Sequence, residues 1–83
     1  MLFTGKNIIV TGATGDLGTA ITQRLIAQGA NVLAVDSNEA ALARLITEVS
    51  GPGALQSFVA DVSDSEQVLG YATRAFGLGK SRR

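Results

Sequence analysis

The chain offers one run of residues arranged for chemistry, Thr11-Gly12-Ala13-Thr14-Gly15-Asp16-Leu17-Gly18, and one carboxylate set apart from it, Asp36. The three glycines give the run its meaning. Gly12 lets the chain turn tightly out of the apolar residues before it. Gly15 has no Cβ, so a ligand can approach the backbone. Gly18 lets the segment that follows pack close to the one that precedes. If a helix opens here, the amides of Gly15, Asp16 and Leu17 point at an anion in front of them, and the helix dipole adds partial positive charge. A diphosphate fits such a mouth without any Lys or Arg, and the run holds neither. Thr14 sits in the same cradle. Asp16 suits a helix N-terminus but lies near the anion, so its side chain is expected to face solvent while its amide serves the phosphate.

Asp36 completes the pattern. From Asn7 to Asp36 is 30 residues, the size of a βαβ unit. At the end of the second strand of such a unit, a carboxylate can accept both ribose hydroxyls of an adenosine. The same carboxylate repels a 2′-phosphate, and the next residue is Ser37 rather than Arg. NAD is therefore expected in preference to NADP. Asp61 ends a third apolar run. It is either a strand-end or helix-entry cap, or an acceptor for the adenine amino group beside Val62.

The elements that must position these residues are legible in the hydropathy. Asn7–Val10, Asn31–Val35 and Leu55–Ala60 are short apolar runs. The first two are near-continuous, as in parallel strands covered on both faces. Between them lie helical periods. The first, Asp16–Gln28, carries Leu17, Ala20, Ile21 and Leu25 on one stripe and ends at Gly29. The second, Asn38–Ser50, carries Leu42, Leu45, Ile46 and Val49, with Ser37 or Asn38 as cap and Gly51-Pro52-Gly53 as stop. The third opens on the capping box Ser63-Asp64-Ser65-Glu66, carries Val68, Leu69, Ala72, Ala75 and Phe76, and stops at Gly77. The order β-α-β-α-β-α predicts an α/β fold: a Rossmann-like, three-stranded parallel sheet of order 3-2-1 with flanking helices, cut off before a fourth strand. Residues 1–77 are expected to form this partial domain, and 78–83 a disordered basic tail.

Composition excludes several classes. The 83 residues include no Cys and no His. Thiolate nucleophiles, Cys- or His-ligated metal and Ser-His-Asp triads are thereby ruled out. The chain is formally neutral, but Lys80, Arg82 and Arg83 close it, so the body before them is acidic and unsuited to a nucleic-acid backbone. Neither a membrane span nor an export signal is expected from the sequence, and a cytoplasmic location is. The bare edge of the first strand, Ile8-Ile9-Val10, invites pairing with a second copy about a two-fold axis.

Taken together, these residues resemble the short-chain dehydrogenase/reductase family. The resemblance is carried by Phe3-Thr4-Gly5-Lys6 before Ile9-Val10-Thr11-Gly12, by Gly18-Thr19-Ala20-Ile21 running through Gly29-Ala30-Asn31-Val32 to Asp36, and by Asp61-Val62-Ser63-Asp64. It implies that Gly12, Gly15, Leu17 and Gly18 hold the pyrophosphate, Asp36 the adenosine ribose, and Asp61 and Val62 the adenine. It further implies a parent reaction of hydride exchange between NAD and an alcohol or ketone. The spacing of Gly12, Gly15 and Gly18 is that of the epimerase-like extended branch, whereas Gly5-Lys6 and Ala20-Ile21 favour the ordinary oxidoreductases. The family's Asn-Asn-Ala-Gly strand, its Ser and its Tyr-x-x-x-Lys pair are not in this sequence. Four residues after Tyr71 stands Ala75, so Tyr71 is expected at a helix surface or rim. The chain reads as the cofactor-binding portion of such an oxidoreductase, binding at most. The alternatives are a non-catalytic NAD-sensing module, a piece of an epimerase-like relative, or a structural remnant without ligand.

Overall fold

The computed structural model describes residues 2–61 and 65–76. Strand β1 spans Asn7–Thr11, helix α1 Asp16–Ala27, β2 Asn31–Asp36, α2 Glu39–Glu48, β3 Ala54–Val59 and α3 Ser65–Phe76. The three strands form one parallel sheet in the order β1-β2-β3, the 3-2-1 arrangement expected from the alternation. Asn7 pairs with Asn31, and Asn31 with Ala54. Ser63 of the expected capping box, Val62, Gly77 and the basic segment 78–83 lie outside the described residues.

Strand β2 is the centre of the molecule, and its side chains alternate between two faces. Val32 and Ala34 join Val10, Ile26, Leu42 and Leu45 in a core beneath α1 and α2. Leu33 and Val35 turn the other way and join Ala60, Val68 and Ala72 beneath α3. Both faces of β2 are therefore covered, which is why its sequence is continuously apolar. Phe58 and Tyr71 stack with ring centroids 4.2 Å apart and interplanar angle 13°, and both pack against the second core. Tyr71 is half-buried there, so its role is to close the β3–α3 contact. Asn38 caps α2, its side-chain oxygen accepting from the amide of Ala41 at 3.0 Å.

The expected stripe of α1 is corrected. Leu17 is 73% exposed and Ile21 39% exposed. Ala20 is also exposed, and of the four only Leu25 packs against the core. The buried face runs instead through Thr22 and Ile26. Gly18 sets this rotation. A Cβ on Gly18 would collide with the carbonyl oxygen of Gly12 and lie 2.8 Å from the Cα of Ala13, so position 18 faces the β1 turn. Residues 22 and 26 follow it at one-turn intervals. Counting apolar residues overlooks a face set by a glycine and a threonine.

Thr22 is fully buried, and its hydroxyl has no hydrogen-bond partner among the described residues. An unsatisfied buried hydroxyl costs about 1–3 kcal/mol. Thr22→Val keeps the β-branched shape and removes that cost. The expected result is a stabilisation of about 1 kcal/mol, read as a higher urea midpoint with an unchanged slope. A lower midpoint would show that the hydroxyl is satisfied in solution.

Candidate functional site

The loop between β1 and α1 is held in place by the protein itself. Gly12 has φ +63°, a conformation that side chains disfavour, and it turns the chain out of β1. Ala13 is fully buried, and its amide donates to the carbonyl of Val35 at 3.2 Å. The Thr19 hydroxyl donates to the Ala13 carbonyl at 3.1 Å. These ties fix the loop against the end of β2 before any ligand arrives. The roles of Ala13 and Thr19 leave no signal in the sequence, because neither residue type advertises a backbone tether.

Helix α1 then opens at Gly15 with no side-chain cap. Its first backbone bond runs from the Thr19 amide to the Gly15 carbonyl at 2.8 Å. The amides of Asp16, Leu17 and Gly18 therefore precede the helical ladder. The Gly15 amide differs from expectation, because it donates to the Gly12 carbonyl at 3.2 Å and closes the turn. Gly15 contributes open space instead: a Cβ there would meet only the Gly12 carbonyl oxygen, at 3.6 Å. Asp16 is exposed in the first turn, as anticipated. Uncapped amides at a helix mouth, with a glycine that leaves the approach clear, fit a diphosphate.

Asp36 reaches back to this loop. Its Oδ2 accepts from the Thr14 amide at 3.1 Å and from the Thr14 hydroxyl at 2.7 Å. Its Oδ1 accepts from the Asn38 amide at 3.1 Å. The Thr14 hydroxyl is the main reason the Asp36 carboxyl lies below its ordinary value of 3.8; partial burial opposes this, and the amides of Thr14, Asn38 and Ser37 support it. A carboxylate offers about four acceptor places. The two Thr14 donors and the Asn38 amide take three of them, and the Ser37 amide lies beside them. Receiving both ribose hydroxyls, as expected from the sequence, requires some of these donors to give way.

The depressed value has a stability consequence. A group whose folded value lies below its unfolded one stabilises the fold above the unfolded value, and that contribution is lost as pH falls through the folded value. For Asp36 the window therefore lies below 3.8. Denaturation of the wild type and Asp36→Asn is expected to show a stability gap at pH 7 that shrinks once the pH drops below this value. A gap constant from pH 7 to 2.5 would contradict the Thr14–Asp36 bond.

The remaining residues lie at the same carboxyl edge of the sheet. Strand β3 ends at Val59, opposite Asp36, and the Ala60 amide donates to the Asp36 carbonyl at 3.0 Å. Asp61 follows, exposed, two residues beyond the strand rather than at its end. Val62, its expected companion, lies outside the described residues. An open groove lined by Leu2, Phe3, Arg24, Ala27 and Gln28 sits at the far end of α1, remote from the loop. No helix among the described residues is long and apolar enough to cross a membrane.

A parallel βαβ unit with a glycine turn at the first helix and a carboxylate after the second strand defines a Rossmann-type fold. The sequence pattern of the short chain dehydrogenase family matches residues 6–77, and the chain belongs to that family. It is 39% identical over 72 residues to 3beta-hydroxysteroid dehydrogenase 2 of Eggerthella lenta, covering 86% of this chain and 28% of that protein. It is 42% identical over 77 residues to a short chain dehydrogenase/reductase of Macrophomina phaseolina, covering 87% of this chain and 44% of the relative. Among solved structures, NAD+-bound xylitol dehydrogenase superposes with TM-score 0.83 at 32% identity, over 93% of this chain and 31% of that one. The chain thus spans less than half the length of these relatives. It corresponds to the cofactor-binding portion of a fold that takes nicotinamide dinucleotides.

Proposed function

We propose that this chain binds NAD in preference to NADP, as the cofactor-holding part of an oxidoreductase that exchanges hydride with an alcohol or ketone. The observation that carries this reading is the meeting of Thr14 with Asp36 across 22 residues of sequence. It brings the glycine turn and the ribose-reading carboxylate to one rim. The amides of Asp16, Leu17 and Gly18 would receive the diphosphate, with Gly12 and Gly15 keeping the approach open. Asp36 would accept an adenosine ribose hydroxyl, and Asp61 with Val62 would border the adenine. The bound dinucleotide would supply the hydride-exchanging ring. The negative charge of Asp36 and the absence of a cation at Ser37 support NAD over its phosphorylated form.

Residues 1–83 by themselves are proposed to bind without turnover, because hydride transfer needs an oriented nicotinamide and a proton donor. The test is calorimetric titration with NAD, NADH and NADP, beside an alcohol-oxidation assay. Binding of NAD and NADH at least about tenfold tighter than NADP is the expected result. Absence of any dinucleotide binding would overturn the reading, and turnover would overturn the restriction to binding. Self-association through the edge of β1 belongs to the same proposal. It is supported by the place of β1 at the end of the sheet and by exposed Leu17 and Ile21. Sedimentation at rising concentration tests it, and a mass that stays monomeric would count against it. A cysteine-free chain using nicotinamide dinucleotide fits a cytoplasmic setting, which fractionation tests.

A further inference from the structure

We infer that Thr14 is a positioning residue for cofactor selection: its amide and hydroxyl together clamp the Asp36 carboxylate against the loop, and this clamp enforces the choice of an unphosphorylated adenosine ribose. The inference rests on the dinucleotide-binding reading above and adds a determinant to it. An aspartate at the end of a strand has two rotatable side-chain bonds. Unrestrained, it can swing away from an incoming 2′-phosphate at the small cost of a rotamer change. Its charge then discriminates little. Asp36 has no such freedom. Both Thr14 donors, at 3.1 and 2.7 Å, converge on Oδ2, and the Asn38 amide holds Oδ1 at 3.1 Å. Rotation of the carboxylate breaks all three bonds. The hydroxyl bond is short and made to a charged acceptor, the stronger kind.

Thr14 also belongs to the loop itself, one residue before Gly15. The clamp therefore fixes the carboxylate relative to the place where a diphosphate would sit. A 2′-phosphate delivered by that diphosphate meets a charge that cannot withdraw. Thr14, expected from the sequence in the cofactor cradle, has its hydroxyl engaged with Asp36 and acts through it. The lowered Asp36 titration is in keeping with this arrangement.

The experiment compares the full chain with Thr14→Val and Thr14→Ser by calorimetric titration with NAD and with NADP. Thr14→Val keeps the branched shape and loses the hydroxyl, so the preference for NAD is expected to narrow about tenfold. Thr14→Ser keeps the hydroxyl and is expected to retain the wild-type ratio to within about twofold. A merely structural role would weaken both dinucleotides alike and leave their ratio unchanged, which would overturn the inference. Carboxyl-carbon NMR gives a second readout. The Asp36 midpoint should lie below the ordinary value in the wild type and in Thr14→Ser, and rise in Thr14→Val. Should Thr14→Val fail to fold, an ordinary midpoint in the wild type or a lost preference in Thr14→Ser overturns the clamp. A wild-type chain that binds neither dinucleotide overturns the functional reading and this inference together. An unchanged ratio in a chain that binds both overturns the inference alone.

Discussion

Gly18→Ala is expected to cost about 3 kcal/mol or more and to abolish the loop geometry. The added Cβ has no room. It would collide with the Gly12 carbonyl oxygen and lie 2.8 Å from Ala13 Cα and 3.0 Å from the Ala13 carbonyl carbon, all of them backbone atoms that no rotamer change can move aside. Relief requires α1 to back away from the turn after β1. That motion breaks the Thr19–Ala13 bond and disturbs the buried Ala13 with it. Small domains are stable by only about 5 kcal/mol or a little more, so this loss removes much of the cooperative transition. Gly70→Ala is the contrast. Gly70 lies inside α3, and a Cβ there meets no atom of the described residues within 4 Å. Alanine is favoured over glycine in a helix by about 1 kcal/mol, so this variant should gain stability. Thermal unfolding followed by circular dichroism separates the two. Equal midpoints for Gly18→Ala and the wild type would refute the close approach of α1 to β1.

The architecture was readable because each element declares itself in more than one way. Strand β2 is apolar at Val32, Leu33, Ala34 and Val35 since both faces are covered, and periodicity sees that directly. Helix α2 announces its face with Leu42, Leu45 and Val49 and its start with Asn38, while Ile46, expected on the same stripe, is 39% exposed, and Leu69, expected on the stripe of α3, is 60% exposed. The rotation of helix α1 is hidden from the hydrophobic pattern because Gly18 and Thr22 define its inner face, and neither registers as hydrophobic. The site divided along the same line. Glycine turns and a strand-end aspartate are visible in a sequence because few other residue types can serve there. The tie between Thr14 and Asp36 was not visible. Nothing in the spacing of a threonine and an aspartate 22 residues apart reports that a parallel crossover sets them 2.7 Å apart. The same blindness covers the Gly15 amide, which turns back to Gly12 where a ligand-facing direction was expected.

Asp36→Ala is expected to lower NAD affinity about 10- to 100-fold while leaving NADP affinity far less changed, so that the preference between them collapses. Two effects combine in the loss. The ribose loses an ionised acceptor, a bond of the stronger, charge-assisted class. The loop loses the group that receives both Thr14 donors, so the amides of α1 are presented less firmly. NADP suffers the second effect and is relieved of repulsion by the first removal, and the two partly cancel. Asp36→Asn separates the contributions. Its amide oxygen can still accept from Thr14, which preserves the loop, while the negative charge is gone. If charge governs selection, Asp36→Asn retains more NAD affinity than Asp36→Ala and binds NADP better than the wild type does. If Asp36→Asn keeps the wild-type preference, the clamped charge does not set the selection, and the inference about Thr14 fails with it. Titration of both variants with both dinucleotides reads the difference. Undiminished NAD binding by Asp36→Ala would remove the carboxylate from the site and leave the helix mouth as the sole point of recognition.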